Sequence, residues 1–404
     1  MFNNLVDAIS WVEHKQKFRP KTSLDYIKQA FEFSKIKLDH IKKIQVGGTN
    51  GKGSTCAFLS TILMENNLKV GTFTSPYLIK FNERIRINML PIDDNELLSL
   101  LNWVYHFESQ YHLTYDVSLS FFEIITLMAF KYFADEKVDV MVIEIGIGGL
   151  LDATSILNYD LNLIASVGFD HMPQLGSSLE SIAENILGML KPDNTLISTV
   201  NQEMFDFFQK YCQQAKVKFI WINPDDYTLN DEGDLIIDDI NYPLSLKGTF
   251  QKDNALLALN AAKYLYPNIF DETIKNGLSK TNFAGRMEHI RQNIYIDGAH
   301  NISAVQQLVK TIKHFYKGEV GVIFSSLGDK EIDKMIKHLK ENVKEVVICA
   351  FDDVRYKPIA YEQLTLYPNF DSALNYLQTK NYDYIIVTGS IHFIGQVKKE
   401  LIKC

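Results

Sequence analysis

A chain of 404 residues and 46.3 kDa exceeds one ordinary compact domain and, at roughly 150 residues per domain, divides into two or three. With 46% hydrophobic and 22% charged residues, 21 Gly and 10 Pro, it is globular in composition, which excludes collagen-like, coiled-coil and broadly disordered chains. The formal charge of −8 argues against a surface devoted to nucleic acid. Cys56, Cys212, Cys349 and Cys404 are too far apart for a C-x-x-C pair or a disulfide framework, which fits a reducing cytoplasm.

Residues 2–16 alternate apolar and charged positions at helical spacing and lack the apolar run of a signal peptide. The longest apolar stretches are interrupted by Glu123 and Glu144, so no membrane span is expected. A helix over 22–35 leads to a strand at Lys43–Val46, a Gly-rich turn and a helix from Ser54 to Asn66. Strands at Val70–Phe73, Val138–Glu144, Leu163–Val167, Thr195–Ser198 and Lys218–Trp221 alternate with helices at 94–108, 119–134, 178–190 and 202–215. That alternation predicts an α/β domain with a mostly parallel sheet. A hairpin is expected between Asp231 and Leu246, then a helix near Asp253.

A second series begins after Gly285: strands at Ile294–Asp297, Val320–Phe324, Glu345–Cys349 and Tyr384–Thr388, with helices at 301–315, 331–340 and 391–402. This pattern reads as a smaller doubly wound unit, giving domains 1–285 and 286–404. Only six of the 41 Lys and Arg residues are arginine, at 19, 84, 86, 286, 291 and 355. In so lysine-rich a chain an arginine signals a position where a planar fork is needed.

The segment Gly47-Gly48-Thr49-Asn50-Gly51-Lys52-Gly53-Ser54-Thr55 follows a strand and opens a helix. Glycines let backbone N–H groups wrap a polyphosphate, and the helix N-terminus adds favourable partial charge. Lys52 would neutralise phosphate, and Ser54 or Thr55 would offer a hydroxyl to Mg²⁺. Gly53 interrupts the standard G-x-x-x-x-G-K-[ST] spacing, and a Gly-rich turn of other purpose is the alternative.

GGTNGKGST resembles the variant phosphate loop of the Mur ligase superfamily, and within it that of folylpolyglutamate synthase/dihydrofolate synthase. Thr74-Ser75-Pro76-Tyr77 with Phe81-Asn82-Glu83-Arg84-Ile85 resembles that family's SPH…NERI. Ser120-Phe121-Phe122-Glu123 resembles its (T/S)-x-F-E, and Glu144 through Thr154 its E-x-G-x-G-G-R-x-D-A-T. Gly168-Phe169-Asp170-His171, Gln251…Asn254-Ala255, Gly285-Arg286-Met287-Glu288, Asp297-Gly298-Ala299-His300-Asn301 and Thr388-Gly389-Ser390 follow in the family's order.

The resemblance implies a large P-loop-type ATPase domain with a mostly parallel sheet, then a smaller Rossmann-like C-terminal α/β domain. It also implies ATP-dependent amide formation, in which a folate carboxylate becomes an acyl phosphate that L-glutamate displaces. It implies tetrahydrofolate or its polyglutamates as the folate, leaves open whether dihydropteroate is a further substrate, implies no nucleic acid or membrane partner, and suggests a monomer. Asn50, Gly51, Lys52, Gly53, Ser54 and Thr55 would hold ATP, with Asn254 at the adenine, Arg286 gripping phosphate and Asp297 accepting from ribose hydroxyls or holding nucleotide geometry. ATP would sit between the domains. Ser54, Ser75, Glu144 and His171 are the implied Mg²⁺ ligands, with Lys52, Glu144 and His171 catalytic. Ser120, Phe121, Phe122, Glu123, Asp152, Ala153 and Thr154 are implied at the pterin or pteroate. His300 lines the cleft.

Two departures matter. Leu150 stands where the family commonly has Arg. Asn185-Ile186-Leu187-Gly188-Met189 stands where it reads E-K-A-G-I, so Ile186 replaces a lysine that is carbamylated to bridge metal ions. A second metal is then held without a carbamate, or fewer ligands are used, or Lys191 reaches in, which its offset of five helical residues disfavours. Tyr77 for His and Ile302 for Pro are milder changes. The expected activity is ligation; a degenerate folate- or nucleotide-binding paralogue without turnover is the alternative. A ligase of cell-wall precursors is disfavoured by the short segment before the phosphate loop.

Overall fold

The computed structural model describes residues 1–16, 23–328, 331–362 and 364–403; Arg19 and Cys404 lie outside them. Its contacts divide the chain into two units, Met1–Asp226 with Asp253–Lys280, and Tyr227–Lys252 with Thr281–Cys404.

The first unit is built on eight strands: β1 Lys42–Gly47, β2 Val70–Phe73, β3 Ile85–Ile87, β4 Leu90–Pro91, β5 Val140–Glu144, β6 Leu161–Ile164, β7 Thr195–Ser198 and β8 Lys218–Trp221. Their order is β4-β3-β2-β5-β1-β6-β7-β8. The six strands from β2 to β8 in that order pair in parallel, while β3 and β4 add an antiparallel edge. Val46 of β1 aligns with Glu144 of β5 and Leu163 of β6. The connection from β1 runs to β2 and that from β5 runs to β6 in the opposite direction, so the loops after these two adjacent strands open at a topological switch point, where open α/β sheets bind ligands.

The near-continuous apolar run of β5 follows from burial on both faces. Met141 and Ile143 join a cluster with residues of the helices Leu5–Glu13, Asp25–Ser34, Asp94–Tyr115 and Phe121–Asp135. Ile164 and Leu196 join another with Ile182, Met204 and Phe208 of the helices Leu179–Leu187 and Gln202–Gln214. The helix Lys52–Glu65 is buried from Gly53 to Leu63. The helix Asp271–Lys280, which the pattern did not predict, packs on it so closely that a Cβ on Gly277 would lie 2.5 Å from Ile62 Cα.

The second unit has a three-stranded antiparallel sheet, β11-β10-β9, of β9 Thr228–Leu229, β10 Leu235–Ile237 and β11 Ile240–Tyr242. Its larger sheet runs β12-β13-β17-β14-β15-β16, with β12 Glu288–Arg291, β13 Ile294–Ile296, β14 Val320–Phe324, β15 Glu345–Cys349, β16 Leu366–Tyr367 and β17 Tyr384–Thr388. Only β12 pairs antiparallel in this sheet. Val305, Leu308 and Ile312 of the helix Ile302–Phe315 pack with Val322, Phe324, Ile348 and Ile386.

This division groups residues 227–252 with the C-terminal unit, a placement that chain order cannot reveal. Thr249 hydrogen-bonds Thr311, and the Phe315 ring covers Gly233. The helix starting at Asp94 extends to Tyr115 because Phe107 and Tyr111 continue its buried face. No described helix is long and apolar enough to cross a membrane.

Candidate active site

The phosphate loop is held from below. Thr49 N donates to Ser166 O at 2.8 Å, and the Ser166 hydroxyl both accepts from Asn50 N and donates to Asn50 O, each at 3.0 Å. Thr49 Oγ1 donates to Gly168 O and accepts from Gly168 N. Gly51 adopts φ 86 as the N-cap of the helix Lys52–Glu65 and offers no capping side chain, which leaves that helix end open to an anion. A Cβ on Gly51 would lie 2.2 Å from Asn254 Oδ1, so Asn254 sits against the phosphate loop itself. Lys52 Nζ donates to the carbonyls of Gly48 and Thr49 at 2.9 and 3.2 Å.

Ser54 Oγ and Thr55 Oγ1 are buried without a hydrogen-bond partner. Orphaned hydroxyls at a helix N-terminus beside a buried carboxylate suit a hard cation that accompanies a polyphosphate. That carboxylate is Glu144, 4% exposed at the end of β5. Its Oε2 accepts from Ser75 N at 2.9 Å. Its charge also reaches Cys56, one residue past Thr55, whose thiol is pushed well up by burial and then by Glu144. Ser54, Ser75 and Glu144 therefore belong to one edge of the sheet.

The loop 75–83 is organised by Glu83, a role the sequence reading did not assign. Its carboxylate accepts from the N–H groups of Leu78, Ile79 and Lys80 at 2.9–3.0 Å. Arg86 Nη1 donates to Thr74 Oγ1 at 2.7 Å. Arg84, only 8% exposed, lies among the rings of Tyr77, Phe81 and Phe121. Tyr77 donates to Glu13 Oε1 at 2.9 Å, and burial, then Glu13, pushes its phenol up to about 12.

Several expected substrate residues work within the fold. Ser120 and Glu123 close a capping box at the start of Phe121–Asp135, with Glu123 Oε2 accepting from both Ser120 N and Ser120 Oγ. Phe122 fills the space beside Gly146, where a Cβ would lie 2.6 Å from its ring, and Phe121 faces Arg84. Asp152 is buried and accepts from Gly146 N, Ile147 N, Thr154 N and Thr154 Oγ1 at 2.6–3.2 Å. Burial raises its carboxyl pKa, while these hydrogen bonds pull it back. Ala153 and Thr154 have no exposed surface, and Thr154 Oγ1 also receives Gln45 Nε2 at 3.0 Å. As placed, Asp152-Ala153-Thr154 braces the turn after β5 and presents little side-chain surface to a ligand.

His171 has φ 48, and its Nε2 stands 4.0 Å from Asp170 Oδ1. Among the described residues no three His, Cys, Asp or Glu side chains converge on a metal position. Ile186 is 1% exposed in the apolar cluster with Ile145, Ile164 and Met189. Lys191 does not reach in: its Nζ donates to the carbonyls of Ile156 and Leu157 at 2.9 and 2.7 Å. The turn Gly148-Gly149 is instead clamped to the following helix, since Cβ atoms there would lie 2.2 Å from Asn185 Oδ1 and 2.3 Å from Ile186 O. Leu150 is 52% exposed.

Within the second unit, Asp297 is 3% exposed and accepts from Met287 N and Ala299 N, both at 2.9 Å. Burial raises its carboxyl pKa, against the opposing pull of Arg286. Arg286 Nη1 donates to Gly285 O at 3.0 Å and stands 2.5 Å from where a Gly298 Cβ would be. His300 Nδ1 lies 2.8 Å from Gly298 O, and Asn301 caps the helix Ile302–Phe315.

This geometry coincides with known sequence families. The Mur ligase middle domain matches residues 46–262, and the glutamate ligase domain of Mur ligases matches residues 285–391. Over 99% of its length the chain is 34% identical to the whole dihydrofolate synthase/folylpolyglutamate synthase of Bacillus subtilis. The chain belongs to the folylpolyglutamate synthase/dihydrofolate synthase family of Mur ligases. Solved relatives share the fold. Escherichia coli FolC in complex with DHPP and ADP superposes with a TM-score of 0.87 at 25% identity, covering 99% of this chain and 98% of that one. The Yersinia pestis bifunctional folylpolyglutamate synthase/dihydrofolate synthase, complexed with AMPPNP and a Mn ion, gives 0.86 at 25% identity over the same shares. The expected mixed α/β architecture with two mostly parallel sheets is the one this family has.

Proposed function

We propose that the chain is an ATP-dependent ligase that joins L-glutamate to the terminal glutamate of reduced folates, acting as a cytoplasmic monomer. The observation that supports it most directly is the open N-terminus of the helix Lys52–Glu65, with the orphaned hydroxyls of Ser54 and Thr55 and the carboxylate of Glu144 at the same sheet edge. Family relatives named for both activities extend the reading to dihydropteroate, whose single carboxylate would be activated in the same way.

In this reading the loop N–H groups and Lys52 bind the ATP phosphates and hold the γ-phosphorus in line with a substrate carboxylate. A carboxylate oxygen forms a bond to that phosphorus as the bond to ADP breaks, giving an acyl phosphate. The amine of L-glutamate then bonds to the acyl carbon, phosphate leaves, and the amine sheds a proton. Mg²⁺, held by Ser54, Ser75 and Glu144, would supply charge neutralisation on the phosphoryl oxygens. His171 is proposed at the edge of the same site. Excluding water from the acyl phosphate favours amide formation over hydrolysis.

The competing reading, a folate-binding paralogue without turnover, rests on Ile186 and Leu150. Both lie outside the phosphate loop and the Glu144–Ser75 contact. The test is ADP formation with ATP, Mg²⁺, tetrahydrofolate and L-glutamate. Turnover that requires both substrates supports the ligase, and its absence at saturating ligands removes it.

A further inference from the structure

We infer that Arg84 is the receptor for the non-reacting α-carboxylate of the folate's terminal glutamate, an assignment that rests on the ligase reading above. Arg84 is one of six arginines in the chain and is more than nine-tenths buried. Its guanidinium carbon lies 4.9 Å from the Tyr77 ring, 5.5 Å from Phe81 and 5.3 Å from Phe121. Aromatic faces offset part of the cost of removing the cation from water, yet they leave its N–H fork without a planar acceptor. Nε has no hydrogen-bond partner, and the guanidinium makes no ion pair with a described carboxylate.

The nearby acids are engaged elsewhere. Glu13 accepts from Tyr77 Oη, Glu83 from three backbone N–H groups, and Glu144 from Ser75 N. A buried, charged donor set left without an acceptor is costly to keep, and a guanidinium fork fits a carboxylate through two parallel hydrogen bonds. Burial pulls this guanidinium down only to about 10, so it stays protonated at neutral pH.

Two features select the substrate carboxylate over a phosphoryl group. The phosphates already have Lys52 and the open helix end, whereas the walls around Arg84 are aromatic and suit a ligand with an aromatic body. Arg84 also belongs to the loop that Ser75 ties to Glu144. A folate ends in a glutamate with two carboxylates, of which only the γ-carboxylate is extended. Holding the α-carboxylate at Arg84 leaves the γ-carboxylate to meet ATP. Dihydropteroate has a single carboxylate and has no use for this grip.

The experiment compares tetrahydrofolate with its α-carboxamide, which keeps the γ-carboxylate, in wild type and in Arg84→Met and Arg84→Lys. Wild type should lose roughly 30-fold or more in kcat/KM on the amide. In Arg84→Met the acid should fall to the level of the amide, so that their ratio approaches one, with KM for ATP unchanged; Arg84→Lys should retain part of the preference. A variant that weakens both substrates equally and preserves the ratio overturns the assignment. Should Arg84→Met not fold, the wild-type comparison decides alone, and equal kcat/KM for acid and amide overturns it. Failure of wild type to glutamylate tetrahydrofolate overturns the ligase reading and, with it, this assignment.

Discussion

The backbone N–H of Ser75 donates to Oε2 of Glu144 at 2.9 Å, tying the loop after β2 to the end of β5. Through this contact one buried carboxylate orients the Ser75 loop and also faces the helix that carries Ser54 and Thr55. Packing has left those two hydroxyls unsatisfied. Such an edge is costly to the folded protein alone and becomes favourable when a cation and a polyphosphate complete it.

Glu144→Gln removes the charge while keeping one oxygen able to accept from Ser75 N. We predict a fall in kcat/KM of about 10²- to 10³-fold, on the scale of losing one group that stabilises transition-state charge. The Mg²⁺ requirement should shift to higher concentration and the thermal midpoint should not drop, because a buried charge has been removed. Titration of activity with Mg²⁺ and a melting curve check both halves.

Gly51→Ala places a Cβ at φ 86, 2.2 Å from Asn254 Oδ1. Strain in the left-handed region costs about 1 kcal/mol or more, and displacing Asn254 distorts the loop proposed to bind phosphate. The expected result is a higher KM for ATP, by roughly tenfold or more, together with a lower melting temperature. An unchanged KM would show that the loop tolerates the added methyl.

Ile186→Lys buries an ammonium in an apolar cluster. It should destabilise the protein by several kcal/mol, on the order of the penalty for an unpaired buried charge, and added bicarbonate should not raise activity. Lys191→Met removes the donor to two carbonyls and should cost about 1–2 kcal/mol without altering the Mg²⁺ dependence. Denaturant melts with Mg²⁺ titrations separate these outcomes; bicarbonate activation of Ile186→Lys would restore a carbamate-based account.

Asp297 gives a pH signature in the second unit. Its carboxyl pKa is raised above 3.8 in the folded protein, chiefly by burial. The folded state therefore holds the proton more tightly, and this contribution to stability is full below 3.8 and is lost as pH rises through the folded value. Asp297→Asn removes the titration and adds a constant loss, because an amide cannot accept from both Met287 N and Ala299 N. The stability of wild type relative to Asp297→Asn should decline with rising pH across that window and then level off. Melts of both proteins over a pH series test the sign, and a rising difference would contradict it.

The phosphate loop was legible because its chemistry is local: strand, glycines, lysine, hydroxyl and helix follow within one short segment. Glu144 was legible as the carboxylate that ends an apolar run. Around Asp152 and Thr154 the sequence reveals a turn but not where its polar groups point; in the structure they bond one another and Gln45. Glu123 belongs to a capping box that the sequence spells out as Ser120-x-x-Glu123. The cage around Arg84 draws on Tyr77, Phe81 and Phe121, and no single window contains it. The scarcity of arginine and the motif that holds Tyr77, Phe81 and Arg84 were its traces in the sequence, but neither joins them to Phe121. Lys191, whose five-residue offset along the helix disfavours a metal role, donates to the carbonyls of Ile156 and Leu157.

The central claim is glutamate ligation, and product mass measures it most directly. Incubation of the protein with ATP, Mg²⁺, tetrahydrofolate and L-glutamate should yield a folate heavier by one glutamyl residue or more, with one ADP formed per residue added and none without glutamate. An unchanged folate mass, or ADP formation indifferent to glutamate, would contradict the account.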